Sequence, residues 1–140
     1  MVVALVNEWE TEPNRLEGEY KGYRWVILRN TSFLHLCGYV GLPAGHDFYG
    51  KDYSDLGLSA HGGLTFASDN GGFLPDGYWW IGFDCAHYGD LSPGIGRTGI
   101  GITGFRPNLY RNIEYVRNEI YHLIDQLPKL PEPFRDFNCC

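Results

Sequence analysis

Apolar and polar residues run in short blocks through most of the chain and change to three- and four-residue steps near its end. Residues 20–29, Tyr-Lys-Gly-Tyr-Arg-Trp-Val-Ile-Leu-Arg, are rich in aromatic and β-branched side chains and predict a strand. Residues 33–40 predict a second, and the Asn30-Thr31-Ser32 turn between them predicts a hairpin. Further strands are expected over residues 1–9, 61–67 and 78–83. Residues 8–18 (with Pro13), 41–60, 68–77 and the Gly-rich 88–106 read as loops. The long connection at 41–60 is of a length that is often functional or packed on itself. Leu109, Ile113, Val116, Ile120, Leu123, Ile124 and Leu127 form one apolar stripe at helical spacing, with Pro107 at its start and Pro128 at its end. The expected fold is α+β: a mostly antiparallel sheet packed by one long C-terminal helix. The 140 residues suit a single domain with an extended tail over 128–140.

Composition narrows the partners. A net charge of −6 and the lack of a Lys/Arg cluster argue against duplex DNA or RNA, because backbone binding needs a basic surface. A small anionic ligand fits, since one or two basic groups and backbone N–H groups suffice for it. No run approaches the roughly 20 apolar residues of a membrane span. Residues 1–9 carry no basic leader or cleavage site and so read as a strand, not a signal peptide. Cys37 and Cys85 lie in apolar runs and Cys139-Cys140 are terminal neighbours. Without CxxC or Cys/His zinc spacing, they read as reduced thiols of a cytoplasmic protein.

Two motifs concentrate groups able to do chemistry. In Trp79-Trp80-Ile81-Gly82-Phe83-Asp84-Cys85-Ala86-His87-Tyr88-Gly89-Asp90, a strand ends in Asp-x-x-His. That spacing lets a carboxylate orient an imidazole, as around general bases and metal ligands. The alternative is a turn in which Asp84 caps backbone N–H groups and His87 is merely exposed. In His61-Gly62-Gly63-Leu64-Thr65-Phe66, two glycines beside an imidazole bring backbone N–H groups close to a ligand, or else mark a strand bulge. No GxSxG elbow accompanies the HGG triplet, which excludes an α/β-hydrolase.

Other candidates are weaker. His46, Asp47, Tyr49 and Lys51 in the long loop could bring an imidazole, a phenol and a cation to a phosphate, or form a solvated loop packed by its own aromatics. Residues 94–99 match GxGxxG, but one helix cannot complete a βαβ unit, so a dinucleotide fold is excluded. Arg97 there could cover a bound anion. His35 reads as a core or sheet-face residue and His122 as surface. The aromatic excess, Trp80 included, either builds a small core or offers faces for a nucleobase.

The ordered string Gly45-His46, Tyr49-Gly50, Tyr53, then HGGLT at residues 61–65, then GFDCAH at 82–87 with Asp90 resembles a family of small proteins of tailed bacteriophages and prophages. The resemblance extends over roughly residues 37–127. It implies an accessory protein acting against host defence, similar to phage enzymes that cleave cyclic dinucleotides.

Three functions follow as expectations. The leading one is hydrolysis of a phosphodiester in a cyclic or related nucleotide immune signal. His61 and His87 would be base and acid, or metal ligands with Asp84 around a divalent ion, and Asp84 would orient His87. His46, Tyr49, Lys51, Gly62, Gly63, Thr65, Trp80, Asp90 and Arg97 would bind the ligand, with Lys51 or Arg97 countering phosphate charge. The second is an oligomeric sponge that holds the nucleotide intact. The third is a structural or host-protein-binding phage protein.

Overall fold

The computed structural model describes residues 7–94 and 109–131. After a single helical turn, α1 (Glu8–Thr11), the chain forms β1 (Arg15–Tyr20), β2 (Tyr23–Arg29) and β3 (Leu36–Pro43). A 3-10 turn (Tyr53–Asp55), β4 (Phe66–Ser68), β5 (Tyr78–Asp84) and α2 (Ile113–Asp125) follow. The five strands make one antiparallel sheet in the order β1-β2-β3-β5-β4. With α2 on one face, the fold is α+β.

Residues 20–29, expected as one strand, are cut by a turn. Lys21 and Gly22 both take positive φ (52° and 84°), the backbone of a two-residue hairpin whose twist suits the flanking strands. Tyr20 pairs with Tyr23, and residues 15–18, expected within a loop, join residues 19 and 20 in β1. β3 starts at Leu36, because the connection includes Leu34 at φ 66°. The strand expected over 61–67 is also corrected. Gly62 and Gly63 have φ of 67° and 87°, which no strand accepts, so pairing begins only at Phe66. Of the strand expected over residues 1–9, residues 8 and 9 lie in α1 and 1–6 lie outside the described residues.

Period-two alternation along β5 divides the core. Ile81 and Phe83 pack with Trp25, Ile27, Val40 and the α2 residues Val116, Ile120, Leu123 and Ile124. Trp80 points to the other face, with Val26 and Leu74. Each fully buried aliphatic side chain of α2 contributes roughly 1.5–3 kcal/mol. Gly38 lets the helix sit close: a Cβ there would stand 2.7 Å from the Phe83 ring and 3.1 Å from Ile120.

α2 is shorter than its apolar stripe. Asn112 caps it by accepting from the Tyr115 N–H, and Glu12 accepts from the Ile113 N–H. Leu109 is left outside, exposed, in a bridge with Asp90 in which Leu91 N–H donates to Leu109 O and Leu109 N–H donates to Gly89 O. Among the described residues no helix is long and apolar enough to cross a membrane.

Candidate functional site

Three segments meet beyond the Asp84 end of β5: the 59–65 loop, the turn at 84–90 and the start of α2. Their centre is Asp90, whose side chain is 1% exposed. Its Oδ1 accepts from Arg111 Nε at 2.8 Å and its Oδ2 from the His87 backbone N–H at 3.0 Å. His61 Nε2 lies 2.9 and 2.8 Å from Oδ1 and Oδ2, and His61 Nδ1 lies 2.7 Å from the Tyr115 hydroxyl. A neutral His61 therefore donates from Nε2 to Asp90 and accepts from Tyr115 at Nδ1.

Burial pushes the Asp90 carboxyl upward, but hydrogen bonds from Arg111, His61 and the His87 backbone outweigh it and hold the group below its ordinary range. Asp90 in turn raises Arg111. The Arg111 guanidinium also lies 4.9 Å from the Tyr115 ring.

His87 lies against this hub. Its ring is 5.6 Å from that of His61, its Nδ1 is 3.4 Å from Asp90 Oδ2, and its side chain is 31% exposed. That Nδ1 is buried and has no hydrogen-bond partner among the described residues. Gly62 makes room for the ring, since any Cβ at residue 62 would overlap the imidazole. His61, His87 and Asp90 offer ligand atoms within 4.8 Å of one another, a set able to hold a metal ion.

The structure thus brings His61 and His87 together, with Asp90 in the place expected of Asp84. Asp84 has the parity of Trp80 and lies at the edge of the sheet face turned away from α2. Its Oδ2 accepts from Thr65 Oγ1 at 3.0 Å and its Oδ1 from the Ala86 N–H at 3.0 Å. His87 Nε2 stands 3.7 Å from Oδ1. Asp84 borders the cluster and shapes its turn.

Beside it, Phe33, His35, Tyr39, Thr65, Phe66 and Asp84 line an open depression of about 490 Å3. His35 is buried as expected; burial lowers its pKa, opposed by the charges of Asp84 and Asp90. Burial pushes the Cys85 thiol up and keeps it protonated, and Cys37 is pushed up to about 11 by the same cause.

Several expected ligand-binding residues lie elsewhere. β3 pairs with β5 so that Cys37 faces Asp84 and Pro43 faces Tyr78, which puts the loop after β3 at the far end of the sheet. There His46 Nε2 meets Tyr23 Oη at 2.8 Å and its Nδ1 accepts from the Phe48 N–H. Lys51 O accepts from Trp79 Nε1, and the Tyr49 ring lies 6.1 Å from Trp79. Along seven strand residues the two ends are roughly 20 Å apart, so His46, Tyr49 and Lys51 do not join the cluster. Trp80 is fully buried and donates from Nε1 to Pro75 O, which makes it core. The Gly63 N–H is spent on Ala60 O. Arg97 lies outside the described residues.

Arg111 and Tyr115 were not among the expected site residues. Tyr115 sits next to the buried position Val116, on the shoulder of the helix stripe, where a polar tip can reach a neighbouring loop. Arg111 gives no sequence signal apart from its nearness to the helix start. Compared with known protein families, with curated proteins and with solved structures, the chain matches none.

Proposed function

We propose that this protein hydrolyses a phosphodiester bond in a cyclic dinucleotide or related nucleotide signal, as a phage-type anti-defence protein in the cytoplasm of an infected bacterium. The observation that carries the reading is the convergence of two imidazoles on one buried, charge-compensated carboxylate, Asp90. Groups fixed in this way can act without rearranging during reaction.

The two histidines take different parts. His61, 13% exposed and tied at both ring nitrogens, positions Asp90 and the start of α2. His87 is open to solvent and moves the proton. Water attacks phosphorus, the P–O bond to the sugar breaks, His87 takes the proton of the water, and the leaving oxygen is protonated from solvent. Such proton transfer is worth about 10²–10⁴-fold. Phe33, Tyr39 and Phe66 in the adjacent depression offer faces for a base, at about 1–3 kcal/mol per stacked base.

The test is incubation with a panel of cyclic dinucleotides, followed by chromatography. New products from the wild type, and about 10²-fold less from His87→Ala, support the reading; no product from any substrate sinks it. The saturated bonding of His61 and Asp90 favours a second reading, a sponge that binds the nucleotide unchanged. In that case the ligand is depleted on mixing and recovered intact after heat denaturation.

A further inference from the structure

We propose that His61 Nε2, His87 Nδ1 and Asp90 Oδ2 together bind one divalent transition-metal ion of the zinc or cobalt kind. The site is the one assigned to hydrolysis above, and this proposal, which rests on ligand geometry, deepens that reading. With the ion bound, His87 would be a ligand and no longer the proton acceptor, and the ion would lower the pKa of the water in its place. Two imidazoles and a carboxylate are a donor set that zinc accepts in tetrahedral geometry with one position left for water or substrate.

Three observations converge on it. The ligand atoms lie within 4.8 Å of one another. A tetrahedral ion with bonds of about 2.05 Å sets neighbouring ligand atoms about 3.3 Å apart. His87 Nδ1 and Asp90 Oδ2 are already 3.4 Å apart, too far for a good hydrogen bond and right for a shared ion. His61 Nε2, at 2.8 Å from the same oxygen, needs to withdraw by about half an ångström, with the ring's proton shifted to Nδ1, which then donates to Tyr115 Oη. Second, His87 Nδ1 is a buried nitrogen with no hydrogen-bond partner among the described residues, and it stands 3.4 Å from Asp90 Oδ2. An orphaned buried polar atom costs stability unless something satisfies it.

Third, the outer partners that metal ligands use are in place. Tyr115 Oη fixes His61 through Nδ1 at 2.7 Å, and Arg111 Nε holds the remaining Asp90 oxygen at 2.8 Å. With neutral imidazoles, Asp84, Asp90 and Arg111 sum to one negative charge. A divalent ion turns that to one positive, which is what an anionic phosphodiester needs.

The experiment strips the full-length protein with chelator and titrates it with Co²⁺, read by visible absorption, and with Zn²⁺, read by calorimetry. The expected result is one ion per chain with the intense absorption of tetrahedral Co²⁺. Tyr115→Phe should weaken binding about 10–100-fold, and His87→Ala by more. His87→Gln serves as a second variant, with folding of each checked by circular dichroism. His122→Ala should bind as the wild type does. Absence of the Co²⁺ band and of Zn²⁺ uptake in the wild type would overturn the proposal, as would undiminished uptake by folded His87→Ala and His87→Gln. Metal uptake without nucleotide cleavage keeps the ion site and removes the hydrolase reading; cleavage unaffected by chelator, with no uptake, does the reverse.

Discussion

His61 and Asp90 are joined by both carboxylate oxygens, at 2.9 and 2.8 Å from one imidazole nitrogen, although 29 residues separate them. This pair ties the 59–65 loop to the turn after β5. Because Arg111 and the His87 backbone also donate to Asp90, the carboxylate faces donors on every side. Asp90→Asn replaces one acceptor with an amide that cannot accept from all of them. The expected cost is about 1–3 kcal/mol, the range for leaving buried polar groups unsatisfied. Urea denaturation of the variant checks it, and a loss under a few tenths of a kcal/mol would show that Asp90 is not the hub.

Gly62 and Gly63 make a matched pair. Both have positive φ, so alanine is strained at either position. A Cβ at Gly62 would also overlap the His87 imidazole, whereas at Gly63 nothing among the described residues lies within 4 Å. Gly62→Ala should therefore displace His87 and lower turnover at least tenfold, while Gly63→Ala loses only about 1 kcal/mol of stability. Kinetics and melting of the two variants side by side distinguish them; equal turnover would mean that the His87 ring position is irrelevant to the reaction.

The far-end loop gives the complementary expectation. His46 and Lys51 sit near Tyr23 and Trp79, about a strand's length from Asp84. His46→Ala and Lys51→Ala should keep turnover within about twofold of the wild type, against the roughly 10²-fold loss expected for His87→Ala. A loss in Lys51→Ala as large as that in His87→Ala would place the phosphate at the wrong end of the sheet.

Apolar periodicity carried the strands β2, β3 and β5 and the α2 stripe into view, because buried faces leave a repeat along the chain. It missed the Lys21-Gly22 turn, whose residues look like part of a strand until their positive φ is known. It also overran α2, since Leu109 fits the stripe but pairs with the 89–91 segment instead. HGG and DCAH were legible as chemistry, and His61 and His87 do meet. Spacing within a motif favoured Asp84 over Asp90, yet strand parity turns Asp84 toward the other face and the turn brings Asp90 inward. Arg111 and Tyr115 join through tertiary contact alone, which no local pattern records.

Tyr23 gives an expectation at alkaline pH. Its ring is buried, and its hydroxyl donates to Pro128 O at 2.6 Å and meets His46 Nε2 at 2.8 Å. Burial, helped by the charge of Asp47, raises its pKa from 10.0 to about 12. A raised folded value means that the neutral phenol stabilises the fold fully below pH 10, and that this contribution is lost as pH climbs through about 12. The amount at stake is on the order of 2–3 kcal/mol. Tyr23→Phe leaves the Pro128 carbonyl without its donor and should cost about 1–2 kcal/mol at neutral pH. It also removes the titration, so the stability curves of variant and wild type should converge between pH 10 and 12. Denaturation measured at intervals from pH 8 upward checks this; a gap that stays constant across the window would mean that Tyr23 ionises no later in the folded chain than in the unfolded one.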